Sequence, residues 1–276
     1  MWGFLPLLLK ALGHVAPAEL VANRIVWSIP VALVILLFLG RTGDIIPTFK
    51  SPKKMLILFA STCIISLNWG VYVWAVVSDR LIEAAMGYFI NPLVVVALGG
   101  IFLGERFTRL QLIALAIAAL AVVLLTTMSG VFPWVSVVLA ISFAFYGLLR
   151  KQVDVGPAQG FLIEIILISI LAIPYLLWLA STGESSFGSS TRDTLLLLAC
   201  GPATALPLIF YASGAKRLRL STIGILQYMT PSIQFLIGVF IFKEPFSQWQ
   251  MIAFVMIWTS LLIYTYSMLT QQRSTS

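Results

Sequence analysis

The chain is 276 residues long, 60% hydrophobic and only 10% charged, with a mean hydropathy of +1.03 and a formal net charge of +7. Soluble domains carry about 25% charged residues, so this composition excludes a soluble enzyme and fits a chain whose surface meets lipid. Apolar runs such as 112–125 are continuous, whereas membrane-barrel strands alternate apolar and polar residues, so the spans are helices.

Charge and turn residues mark ten spans, roughly 2–13, 18–39, 55–77, 84–103, 109–128, 131–149, 160–180, 194–216, 220–242 and 248–268. The first covers about 18 Å of helix against about 30 Å of hydrocarbon. Met1–Pro6 lacks the basic leading region of a signal peptide, so a native start upstream of Met1 is expected. The polar stretch 181–193 is the longest clear break. Cys63 and Cys200 fall inside apolar spans and are expected as small core residues.

Basic residues set the orientation. With ten spans, Arg41, Lys50, Lys53, Lys54, Arg106, Arg109, Arg150, Lys151, Lys216, Arg217, Arg219 and Arg273 share one side. Lys10, Arg24, Arg80, Arg192 and Lys243 take the other. The positive-inside rule puts the richer side, and both chain ends, in the cytoplasm.

The chain also resembles itself at an offset of 139 residues. Pro92 matches Pro231, Gly99 matches Gly238, Glu105 matches Glu244, Phe107 matches Phe246, Gln111 matches Gln250 and Tyr72 matches Tyr211. Lys10 and Pro17 match Arg150 and Pro157 at offset 140. Five spans separate the copies, and an odd number of crossings inverts the second, so the halves 1–129 and 130–276 form an inverted repeat. Such repeats suit a secondary transporter, whose halves exchange conformations to open a site to each side in turn.

Polar groups at membrane depth are costly and mark sites or helix contacts. In span three, Asn68, Trp69 and Tyr72 cluster, with Asn68 and Tyr72 on one helix face. They either hold a small solute or bridge helices. Span four carries Tyr88, Asn91 and Pro92, echoed in span nine by Gln227, Tyr228 and Pro231. Each proline strands a carbonyl, and paired kinks in corresponding halves point to a cavity. Tyr146 and Tyr211 complete the aromatic set. Lys10, on the sparsely charged side, is a candidate carboxylate contact. Arg150 and Lys151 are expected to snorkel to headgroups, and Arg24 to pair structurally with Glu19 or Glu83. Glu164 is the candidate proton site, and Glu105 and Glu244 read as caps or gate contacts. Gly100 and Gly104 have a close-packing spacing.

Other chemistries lack their residues. The single histidine, His14, leaves no metal cluster or catalytic triad. No phosphate-binding loop is present, and basic and aromatic residues are not interleaved as a nucleic-acid surface needs. No cofactor is expected. The expected partners are a small-molecule substrate and the lipid bilayer, with a homodimer left open.

The stretches WGFLP, NRIVWS, NWGVYVWAV, EAAMGYFINPL, FLGERF, SFAFYGLLRK, TALPL, RLRLSTIGILQY and AFVMIW run through nearly the whole chain in order. In them the chain resembles the RarD-type permeases of the EamA group, in the drug/metabolite transporter superfamily. The resemblance implies an all-α membrane protein of ten helices in two inverted five-helix repeats, with both ends cytoplasmic, in the bacterial inner membrane. It implies export of an amino acid, a metabolite or a drug. The expected function is a permease for an amino acid or related metabolite; the alternative is a chloramphenicol or multidrug permease.

Overall fold

The computed structural model describes the chain except residues 41, 44, 104–107, 130–131, 218–228 and 275–276. Among the described residues the secondary structure is helical throughout: α1 Leu5–Ala11, preceded by a 3-10 turn, α2 Pro17–Leu39, α3 Ile45–Phe49, α4 Pro52–Val77, α5 Leu81–Leu103, α6 Arg109–Ser129, α7 Trp134–Gln152, α8 Pro157–Thr182, α9 Thr191–Arg217, α10 Met229–Leu236, a π-helical segment Ile237–Ile241, and α11 Gln248–Ser274. Seven of these are long and apolar enough to cross a membrane: α2, α4, α6, α7, α8, α9 and α11. Shorter apolar helices, Trp2–Ala11, Leu81–Val95 and Met229–Ile241, stand where the first, fourth and ninth spans are expected.

Local sequence explains several boundaries. Pro17, Pro52 and Pro157 sit at the starts of α2, α4 and α8, where a missing N–H costs nothing and the fixed φ suits a helix. Gly40 and Gly183 end α2 and α8 in the left-handed conformation. The outward faces are apolar: Leu37, Phe38, Leu56, Leu171 and Phe240 are all largely exposed, as hydrocarbon contact permits.

The chain forms two compact units, Met1–Ser78 with Leu149–Leu218, and Asp79–Leu148 with Arg219–Ser276. They do not follow the halves 1–129 and 130–276; each unit takes helices from both.

In the first unit α2 is central, packed on α4, α8 and α9. Its approach to α9 is at backbone distance: a Cβ on Gly201 would lie 2.2 Å from the Trp27 carbonyl oxygen. The Ser28 hydroxyl, within reach of both the Arg24 and Gly201 carbonyls (2.6 and 3.2 Å), stitches that contact. Small residues let helices meet in this way where lipid supplies no hydrophobic drive.

In the second unit α6 packs along α11, and α5 meets α6, α10 and α11. Phe89 lies edge-on to Phe254 at 5.3 Å, and Phe254 stacks on Phe235 at 4.1 Å. The Ser260 hydroxyl donates to the Ala114 carbonyl (2.6 Å), tying α11 to α6.

Two expectations are corrected here. Cys63 is exposed on α4 rather than packed in the core, while Cys200 is buried. Arg150 does not snorkel: its side chain is 10% exposed and folds back onto α8, beside Glu164. Lys151 is exposed.

Candidate functional site

The first unit holds a polar cluster at helix interior depth. Asn68, Trp69 and Tyr72 of α4 are all buried, as are Asn23 and Arg24 of α2 and Thr204 of α9. Arg24 was expected to pair with an acid; its Nε–H donates to the Thr204 hydroxyl (3.0 Å) and its guanidinium carbon lies 5.5 Å from the Trp69 ring centre. A cation over an indole face gains from the ring quadrupole, and more so when water is excluded. Thr204 passes its own hydrogen to the Cys200 carbonyl (2.8 Å). Trp27 donates from its indole nitrogen to Asn23 Oδ1 (3.1 Å), and Asn23 donates to the Glu19 carbonyl (3.0 Å). Trp69 therefore touches a buried cation, with Asn68 and Tyr72 beside it on the same helix. Tyr211, on α9, is half-buried with its ring 6.0 Å from that of Trp2, and Lys10 is half-buried on α1.

A second cluster surrounds Glu164, the candidate proton site. The Ser61 hydroxyl donates to Glu164 Oε1 at 2.6 Å, and Arg150 Nη1 stands 3.7 Å from the same oxygen. Arg150 Nη2 also donates to the Pro157 carbonyl (3.1 Å). Gly160 makes the space, since a Cβ there would fall 1.8 Å from Arg150 Nη1.

The remaining predicted residues that the structure describes lie in the second unit. Asn91 is buried and donates from Nδ2 to the Ala140 carbonyl (2.9 Å), a bridge from α5 to α7. Tyr88 meets Phe143 edge-on at 5.9 Å, and Phe143 lies 6.0 Å from Tyr146. Pro92 sits inside α5, which continues helically through it, and Pro231 is buried in α10. The irregular backbone falls after it, at the π-helical segment and at Lys243 two residues beyond, which takes a φ of 53°. That turn delivers Glu244, whose two carboxylate oxygens accept the Leu81 and Ile82 N–H groups (2.8 and 2.9 Å) and cap α5. Gln227, Tyr228, Glu105 and Gly104 lie outside the described residues.

A cavity of about 440 Å³ opens among α2, α4 and α8, lined by residues including Val21, Ile25, Ser66, Gly70, Leu171 and Tyr175. None of the sequence-predicted residues lines it. Thr204 and Ser61, which hold Arg24 and Glu164, were not anticipated. Each is a hydroxyl within an apolar run whose partner lies more than 100 residues away, so only the fold reveals them.

Comparison with known proteins places the chain among transporters. The model of the EamA-like transporter family matches residues 1–127 and again 133–266. The chain is 40% identical over 274 residues to Protein RarD of Streptomyces exfoliatus, covering 99% of this chain and 87% of that protein. It is 42% identical over 278 residues to the uncharacterized transporter YojE of Bacillus subtilis strain 168, covering 99% and 93%. A solved crystal structure of a protein 19% identical to this chain matches its fold with a TM-score of 0.63, over 96% of this chain and 93% of that one.

Proposed function

Because the chain belongs to the EamA-like transporter family, in its RarD-type branch, we propose that it is a secondary transporter carrying an amino acid or related metabolite across the bacterial inner membrane by alternating access. The names of the family and its relatives are those of transporters rather than enzymes. Ten crossings in two inverted repeats, with both termini cytoplasmic, fit the seven long and three shorter apolar helices, the offset matches and the basic-residue bias.

The observation that carries this reading is Arg24, 2% exposed, on the Trp69 ring. A guanidinium is permanently charged and its fork matches a carboxylate. An ionisable side chain at membrane depth marks a substrate or ion pathway by default. Arg24 takes the solute carboxylate, Asn68 and Tyr72 supply donors and acceptors for an amine or hydroxyl, and Trp69 and Tyr211 offer ring faces. Lys10, Tyr88, Asn91, Tyr146, Gln227 and Tyr228 complete the proposed set, with Pro92 and Pro231 as the kinks. Glu164 is the proposed proton carrier: taking up a proton cancels its attraction for Arg150, so the pair has two arrangements that an ion gradient can bias.

Proteoliposome uptake with labelled amino acids, other metabolites and chloramphenicol tests the proposal. Uptake of an amino acid or metabolite supports it. Uptake of chloramphenicol alone would favour the drug-permease alternative, for which the apolar cavity edged by Ser66 and Tyr175 is the structural argument.

A further inference from the structure

We infer that residues 184–189 form a strap that closes the end of the first unit carrying 181–193, latched by Glu19 and plugged by Phe187 against Trp27. The inference rests on the transporter reading, because a strap of this kind matters only where a solute must pass.

Two contacts hold the segment down, and a third ties the start of α9 beside it. Glu19, 2% exposed in the first turn of α2, accepts the Ser186 N–H (2.7 Å) and hydroxyl (3.0 Å), with the Ser185 hydroxyl at 3.4 Å. Phe187 stacks on Trp27, with centroids 5.4 Å apart and planes 22° from parallel. His14 Nε2 meets Asp193 Oδ2 at 3.2 Å, fixing the start of α9 to the approach to α2.

The reach of the contact along α2 is the telling feature. Trp27 lies eight residues beyond Glu19, about 12 Å further along α2. Helical side chains lean toward their own N-terminus, which lays the Trp27 ring over Asn23, to which it donates. Asn23 adjoins Arg24. Trp27 and Asn23 thus stand between Phe187 of the polar segment and the turn of α2 that carries Arg24.

The strap also has ends that can turn. Gly183 and Gly188 hold φ values of 75° and 88°, with nothing within 4 Å of the Cβ positions. Side chains rarely adopt these angles, so the backbone is shaped to leave α8 sharply and to re-enter toward α9. Lifting the strap exposes little new apolar surface, since Phe187 is already 37% exposed; besides Glu19 and Trp27 it gives up the Gly188 N–H bond to the Thr194 hydroxyl (3.0 Å).

The test uses the full chain in lipid nanodiscs and needs no substrate. Native Cys200, buried on α9, is the reporter. Exposed Cys63 is replaced by serine. In this background a bulky hydrophilic maleimide should modify Cys200 slowly. Glu19→Gln and Phe187→Ala should each raise that rate, and amide exchange across 183–190, about tenfold, since a charge-assisted bond or a ring contact is lost. Ser186→Ala, a loop change that keeps the backbone N–H, should raise exchange about threefold and guards against misfolded variants. Unchanged labelling and exchange in variants that melt like the parent would overturn the strap. Transport is read separately, so a chain that carries solute but shows no strap response sinks this inference alone.

Discussion

Arg24 Nε and the Thr204 hydroxyl, 180 residues apart in the chain, meet at 3.0 Å inside the first unit, with the Trp69 ring beneath the guanidinium. Three helices therefore converge on one cation. Replacing it should separate charge from shape. Arg24→Ala should lower uptake of the transported solute at least tenfold. Arg24→Lys keeps the charge but loses the fork and the flat stacking face, and should fall between parent and alanine variant. Initial uptake rates in proteoliposomes at matched protein density measure both.

Asn68 and Tyr72 are proposed solute contacts on the same helix as Trp69. Asn68→Ala and Tyr72→Ala should raise the half-saturating solute concentration several-fold while each protein still melts within a few degrees of the parent. Unchanged concentration dependence would remove them from the site and leave them as helix bridges.

The Glu164–Arg150 pair makes a stability prediction independent of transport. Removing one partner of a buried pair leaves the other charge poorly compensated and costs about 3–5 kcal/mol. Glu164→Leu should therefore melt well below the parent, and adding Arg150→Met should recover much of the loss. In transport, Glu164→Gln should abolish the response to an imposed pH gradient; a gradient response equal to the parent's would exclude Glu164 as the proton carrier.

Gly160 is the space in which the Arg150 guanidinium lies. Gly160→Ala should cost about 1–3 kcal/mol through overpacking, and the cost should largely vanish in an Arg150→Ala background. Such non-additivity, read from thermal or denaturant melting, is the signature of two residues competing for one volume.

Glu244 caps α5 through two backbone N–H groups. Glu244→Ala leaves both without their acceptor and should destabilise the chain by about 1–3 kcal/mol. Glu244→Gln, which keeps one acceptor oxygen, should cost less. Thermal or denaturant melting of the full chain reports both.

The apolar lengths and the break at 181–193 were legible in the sequence because each is a local property. Which face of a span is buried was not. A membrane helix is apolar all round, so periodicity does not tell Cys63, exposed, from Cys200, buried. Arg150 was misread for a related reason: nothing near it announces that Gly160, ten residues on, leaves room for its guanidinium. Arg24 was legible as embedded, but its contact with Thr204 was not, because that hydroxyl lies 180 residues away. Glu19, the acid nearest in sequence, receives Ser186 from the polar segment. The interleaving of helices from both halves into two units is a property of packing, and no local pattern carries it.

The most direct measurement is uptake of a labelled amino acid or related carboxylate into proteoliposomes holding either the parent chain or Arg24→Ala. Expected is accumulation in the parent above protein-free vesicles and its loss in the variant. Equal accumulation in the two preparations, or none in the parent across the whole solute panel, would contradict a carboxylate-bearing solute held by Arg24.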